Sequence, residues 1–484
     1  MTKEELRAKA EAFSEEVARE SYRAGAGLTD RTDFEGIFRR HAALGGDAAW
    51  EAARGVRELA EWAADYRIGR KVAPLDDRLH HWESTAVLTL ENGEQIPWQR
   101  SGIDMANEPD RRRRLAIDRA RRALTAEPVA IRIERMGRER EELASLCGSD
   151  VVTARQKLSG IRLDELGESC GRFLAATRDL YRDLLAERLR RELDLPLDAA
   201  HRSDAAWIFR GRGFDEFFPG AELVDIARRQ TAEMGIDAEA AGRVRFDVED
   251  REMKRARAFC APVRVPDEVW LVIRPTGGYQ DYRAFWHELG HALHFSHASR
   301  DLPFEHRWLG DNSVTEGFAI LFEHMLALEP WLDRYTTLGG EKRRTFLRDQ
   351  ALDQLALVRR YAAKLRYELE LHRARSFASA GPRYVEHLSD ATGFRYEPED
   401  ALLDLDDAFY ASRYLRAWML EAGMREMLRD RFDEDFFRNP RTGPYLLDLM
   451  ARGQRDNGDV LASDVLGHGL SFEPLIRQYE EALA

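Results

Sequence analysis

The pentapeptide His287-Glu288-Leu289-Gly290-His291 constrains this chain more than any other stretch of it. Imidazoles at i and i+4 share a face on an α-helix, so the segment must be helical if the two are to act together. A carboxylate beside the first then lies within reach of whatever the pair holds. This is the layout of a catalytic zinc site, in which two histidines bind the ion and the glutamate takes a proton from the attacking water. One helix supplies only two ligands. A catalytic zinc takes three from the protein, so the fold must bring a second element against the first.

Two residues compete for third ligand. His297 falls six residues after His291, where metzincins place their third histidine, but His294 stands where their turning glycine would be. Without that turn the helix continues and carries His297 about 9 Å further along its axis, off the ligand face. Glu316 lies 29 residues after His287, within Ser313-Val314-Thr315-Glu316-Gly317-Phe318-Ala319, which reads as the start of a second helix. Ser313-x-x-Glu316 is also a capping box, which would turn the glutamate back onto its own helix end. Glu323 favours ligation. It follows seven residues later on the same face among Ile320, Leu321, Phe322 and Leu326, where a carboxylate needs a partner and could orient a ligand histidine from behind.

HELGHALH, a glutamate 29 residues after its first histidine and another seven beyond it together resemble the thimet oligopeptidase and oligoendopeptidase F family of gluzincin-type zinc metallopeptidases, down to the additional His294. The resemblance covers roughly residues 200–484. Arg257-Ala258-Phe259-Cys260 and Val269-Trp270-Leu271-Val272-Ile273 look like that family's edge strand, and Phe409-Tyr410-Ala411-Ser412-Arg413-Tyr414-Leu415 looks like its tyrosine-rich segment. The chain departs from the family in being short and in lacking the run of glycine and tyrosines before the last tyrosine. The resemblance implies a mainly α, two-lobed metallopeptidase with a small sheet beside the active-site helix and a deep cleft between lobes. It also implies one zinc ion per chain, held by His287, His291 and Glu316.

The roles follow from that ligand set. Glu288 is the general base and passes the proton on to the leaving amine. Tyr414 is the first candidate to stabilise the oxyanion, with Tyr410 one turn earlier as the alternative, although tyrosines spaced i, i+4 among Phe409, Leu415 and Trp418 also read as core packing. His294, three residues after His291, either hydrogen-bonds near the site or is a buried structural imidazole. A strand over 269–274, Val272 included, is expected to pair with an extended peptide, with Gly277 and Gly278 allowing close backbone approach. His468, between two glycines, is a further candidate contact. The resemblance implies oligopeptides as the substrate class. A zinc hydrolase of a non-peptide amide would share every motif, and a catalytically idle peptide binder would have no use for Glu288.

Composition fits a cytoplasmic enzyme without nucleic-acid or membrane partners. The first residues are charged rather than signal-like, and no stretch approaches a membrane span. Cys147, Cys170 and Cys260 are odd in number and widely spaced, which argues against a disulfide framework. A net charge of −13 disfavours general nucleic-acid affinity. The one basic run, Arg111-Arg112-Arg113-Arg114 with Arg119, Arg121 and Arg122, reads as a solvated helix face.

Helical periodicity covers residues 3–24, 45–66, 110–125, 137–147, 162–193, 221–234, 280–297, 313–328, 341–377 and 405–430. Strands are expected at 84–90 and 95–99, around Glu91-Asn92-Gly93-Glu94, and at 269–274. Leu193–Leu197 and His201–Ser203 mark the expected boundary between a helical lobe at 1–200 and a catalytic lobe at 201–484.

Overall fold

In a computed structural model that describes residues 1–483, the chain is mainly α with two small sheets. The strands are β1 (Val87–Thr89) and β2 (Gln95–Pro97), an antiparallel hairpin closed over the Asn92-Gly93 turn, and β3 (Val244–Asp247), β4 (Phe259–Arg264) and β5 (Glu268–Val272). The last three form one sheet in the order β3-β5-β4, with β3 parallel and β4 antiparallel to β5. Among the described residues no helix is long and apolar enough to cross a membrane.

The chain divides into two compact units, neither continuous in sequence. One comprises residues 1–63, 212–350 and 413–484, the other residues 64–211 and 351–412. A boundary near residue 200 therefore does not describe the packing, and the reason is the first helix. Helix α1 (Lys3–Gly25) starts on a reciprocal cap, Glu5 N–H to Thr2 Oγ1 at 3.1 Å and Thr2 N–H to Glu5 Oε2 at 2.9 Å. It then packs on the three-stranded sheet. Tyr22 stacks on Trp270 with ring centroids 4.4 Å apart, and Arg19 binds Glu268 at 2.9 Å. Arg7 binds the buried Glu305 at 3.0 Å. These ties place the first sixty-odd residues in the same unit as the HELGH motif.

In that unit α2 (Tyr279–His297) carries the motif, α3 (Asn312–Met325) carries Glu316, α4 (Ala411–Phe432) carries Tyr414, and α5 (Gly458–Leu466) follows. The buried face of α2 shows why this segment is helical: Tyr282, Phe285, Trp286, Leu289 and Leu293 recur at helical spacing and are fully buried. Each such side chain contributes roughly 1.5–3 kcal/mol through burial. Gln230 pins this core, since its Oε1 accepts from the indole N–H groups of both Trp286 and Trp331 at 2.7 Å each.

Several expected elements differ at their ends. The 405–430 helix begins only at Ala411, because Ala408 and Phe409 take left-handed φ of 53° and 55°. The 162–193 helix is broken at Thr177, and the first expected strand shrinks to β1 because the preceding helix runs on to Thr85. The arginine run in the other unit is only partly a solvated face: Arg112 and Arg119 are exposed, but the others are engaged. Arg114 is fully buried and shares the buried Asp204 with Arg111, while Arg113 binds Glu94 and Glu108.

Candidate metal centre

The motif helix is launched from a glycine turn. Gly277 and Gly278 have φ of +93° and +96°, which glycine adopts without strain. Asp281 accepts from the N–H groups of Thr276 at 2.6 Å and Gly277 at 2.8 Å, and Gly278 N–H donates to Phe218 O at 2.8 Å. A Cβ on Gly278 would stand 2.6 Å from Asp215 Oδ1, and one on Gly277 3.2 Å from Gly220 N. Both glycines thus serve the turn, with their amides engaged internally.

Helix α3 is capped by Asp311, whose side chain accepts from Ser313 N–H at 3.0 Å. Ser313 is therefore not the cap, and Glu316 is free of the capping-box geometry that its spacing allowed. Its Oε2 instead lies 3.4 Å from His287 Nε2 and 3.5 Å from His291 Nε2. Candidate donor atoms of His287, His291 and Glu316 all fall within 4.8 Å of one another, and among the described residues no other such group of His, Cys, Asp and Glu occurs. Gly290 makes this convergence possible. A Cβ there would stand 2.6 Å from Ala319 Cα and 2.7 Å from Phe318 O, so the two helices meet backbone to backbone.

Each histidine is fixed from behind. His287 Nδ1 bonds Glu323 Oε2 at 2.8 Å, and Arg283 binds the other oxygen of that carboxylate. His291 Nδ1 bonds Thr315 Oγ1 at 2.9 Å. Both Nε2 atoms are thereby turned toward Glu316, which is how outer residues orient metal-binding imidazoles. Thr315 was not expected; its only sequence signal is that it immediately precedes Glu316.

His294 does not take part. It is buried with Nε2 3.2 Å from Gly453 O, and burial lowers its pKa to about 4, so it is the structural imidazole of the two alternatives. His297 bonds Leu293 O in its own helix at 2.8 Å and lies outside the cluster.

The electrostatics suit a cation. Burial would raise the carboxyl of Glu316, yet His291 and His287 hold it well below the usual carboxylate range. Glu323 is held low likewise, by Arg283 ahead of His287. Burial would lower the His287 pKa, but hydrogen bonds to Glu316 and Glu323 carry it up to about 10. Glu288 is shifted the other way. Burial raises its carboxyl, only partly opposed by His291 and His287, and its Oε2 accepts from Cys260 N–H at 2.8 Å. The Cys260 thiol is pushed well above its ordinary value by burial and by Glu288, so it stays protonated.

Strand β5 lies between β3 and β4 with its backbone paired on both sides, and Val272 is fully buried, so this strand offers no edge to a peptide. The edge beside Glu288 is β4. His468 is exposed after α5, with Nδ1 2.9 Å from Gly469 O, and borders a cavity lined by the C-terminal half of α4. Tyr414 sits in the first turn of α4, partly buried, its ring 5.8 Å from Trp418. Tyr410 immediately precedes that helix and has right-handed helical dihedrals.

No family model matches the chain, and no curated protein matches it in sequence. In fold it is similar to the crystal structure of a "putative peptidase" from Chlamydophila abortus, with a TM-score of 0.62 and 12% identity over 93% of this chain and 82% of that one. At that identity the likeness establishes a shared fold.

Proposed function

We propose that this chain is a zinc-dependent peptidase that hydrolyses peptide bonds in oligopeptides, with Glu288 as general base. The observation that carries the reading is the convergence of His287, His291 and Glu316, each histidine held through its far nitrogen, beside the half-buried Glu288 carboxylate, which is not part of that group. The donor set fits zinc: two imidazole nitrogens and one carboxylate oxygen are the ligands of a catalytic site that keeps its fourth position open. The fold likeness to a protein described as a peptidase, and the motif's resemblance to oligopeptidases, support the choice of substrate.

Zinc held there would supply a Lewis acid that polarises a carbonyl and makes water acidic enough to attack at neutral pH. The chain's own residues do the rest. The Cys260 N–H aims the Glu288 carboxylate, and burial raises its proton affinity, which suits a group that must take a proton and then give it to the leaving amine. Glu323 and Thr315 keep the imidazoles from turning. Tyr414, with Tyr410 as alternative, is assigned to hydrogen-bond the developing oxyanion.

The test is turnover of a mixed library of short peptides, with cleavage sites read by mass spectrometry. Cleavage should stop with a zinc chelator and return with added zinc. Failure to cleave any peptide, with zinc bound and the protein folded, would contradict the assignment and direct attention to non-peptide amides.

A further inference from the structure

Asp311 is 2% exposed and receives more donors than a helix cap requires. Its Oδ1 accepts from Ser313 N–H at 3.0 Å and Ser313 O–H at 2.6 Å, which caps α3. Its Oδ2 accepts from Arg416 Nη2 at 2.8 Å and from Gly458 N–H at 3.0 Å, the first residue of α5. Arg413 Nη1 reaches Oδ1 at 3.4 Å. Each arginine has a second anchor in the same unit, Arg413 on Glu61 and Arg416 on Asp459. Burial would raise the Asp311 carboxyl, but Arg416 and then Arg413 hold it far below the usual carboxylate range, so it remains charged.

A cap needs neither arginine. Their placement suggests what the extra contacts do. Arg413 immediately precedes Tyr414 and Arg416 follows it by two residues, so their hold on one point fixes the rotation of the first turn of α4. The same carboxylate fixes the start of α3, whose second turn presents Thr315 and Glu316. One side chain thus joins the turn that carries the candidate oxyanion donor to the start of the helix that carries the proposed third metal ligand.

We infer that Asp311 is a positioning residue for the proposed reaction, holding Tyr414 in register with Glu316 through Arg413 and Arg416. The inference rests on the assignment of Tyr414 to the oxyanion. A role confined to capping α3 would act on stability alone.

A double-mutant cycle on the zinc-loaded enzyme separates these cases. Asp311→Asn keeps an oxygen for Ser313 and removes the charge that the arginines face. It should retain about one zinc per chain and lose about tenfold or more in kcat, with KM changed far less. Tyr414→Phe alone should show a comparable kcat loss, and adding it to Asp311→Asn should cost little more, because the hydroxyl is already misplaced. Multiplicative losses would overturn the inference and leave the Tyr414 assignment standing. A silent Tyr414→Phe would overturn both. Should Asp311→Asn fail to fold, Arg413→Gln spares the α3 cap and must reproduce the kcat loss and its non-additivity with Tyr414→Phe; unchanged kcat in that variant would overturn the inference.

Discussion

Gly290 of α2 lies so close to Ala319 of α3 that a Cβ on the glycine would stand 2.6 Å from the Ala319 Cα. The contact is backbone on backbone, which no side-chain rearrangement can relieve. Gly290→Ala must therefore push α3 away, and Glu316 with it. Overpacking of this kind costs roughly 1–3 kcal/mol. The expected result is a lowered melting temperature together with weaker zinc binding, measured by competition with a chromophoric chelator. Wild-type zinc affinity in this variant would show that the close approach does not set the Glu316 position.

Third-ligand identity is tested by a contrasting pair. Glu316→Ala removes the carboxylate 3.4–3.5 Å from both imidazoles and should abolish or severely weaken zinc binding. His297→Ala removes a ring that bonds only within its own helix in the contacts seen, and should leave metal and turnover intact. The reverse pattern would restore the metzincin geometry.

Thr315→Val keeps the shape of the side chain and deletes the hydroxyl that holds His291 Nδ1. Loss of such a supporting group typically weakens metal binding by about 10–100-fold. Isothermal titration with zinc checks this, and unaltered affinity would reduce Thr315 to packing.

The convergence of the two histidines with Glu316, and the place of Glu323 behind His287, were legible in the sequence because each is written in spacing: i, i+4 for the histidines, and one apolar-flanked helix for Glu316 and Glu323. Thr315 was not, since a threonine on a helix carries no signal until the ring it touches is known. Nor was the cap. Ser313-x-x-Glu316 matched a capping box, yet Asp311, two residues before Ser313, takes the cap position. Strand order escaped for a different reason. The apolar run at 269–273 reads equally well as an edge or a central strand, and only the pairing with both β3 and β4 shows that it is central. The placement of α1 with the catalytic unit depends on contacts such as Tyr22 with Trp270, about 250 residues apart in sequence, which no local pattern reveals.

Glu368, in the other unit, gives a pH prediction independent of the metal. It is fully buried, and burial pushes its carboxyl up to about 8 despite Lys364, while its Oε1 accepts from Asp406 N–H at 2.7 Å. An acid whose folded pKa lies above its unfolded value of 4.5 stabilises the fold at low pH and progressively loses that contribution as pH rises toward 8. Glu368→Gln keeps the acceptor and cannot ionise. The wild type should therefore lose stability relative to the variant between pH 5 and 8, by on the order of a few kcal/mol at most. Parallel stability curves from denaturant titrations across that range would contradict the assignment.

Whether Glu288 moves the proton in a zinc-dependent peptide hydrolysis is decided by measuring cleavage of one identified peptide by wild type and Glu288→Gln at matched, verified zinc content. The amide keeps an oxygen that can accept from Cys260 N–H and can still hydrogen-bond water, but it cannot take a proton. Full zinc occupancy, an unchanged fold and kcat reduced by at least about 10²-fold are expected in the variant. Near-normal turnover with zinc bound would contradict that role.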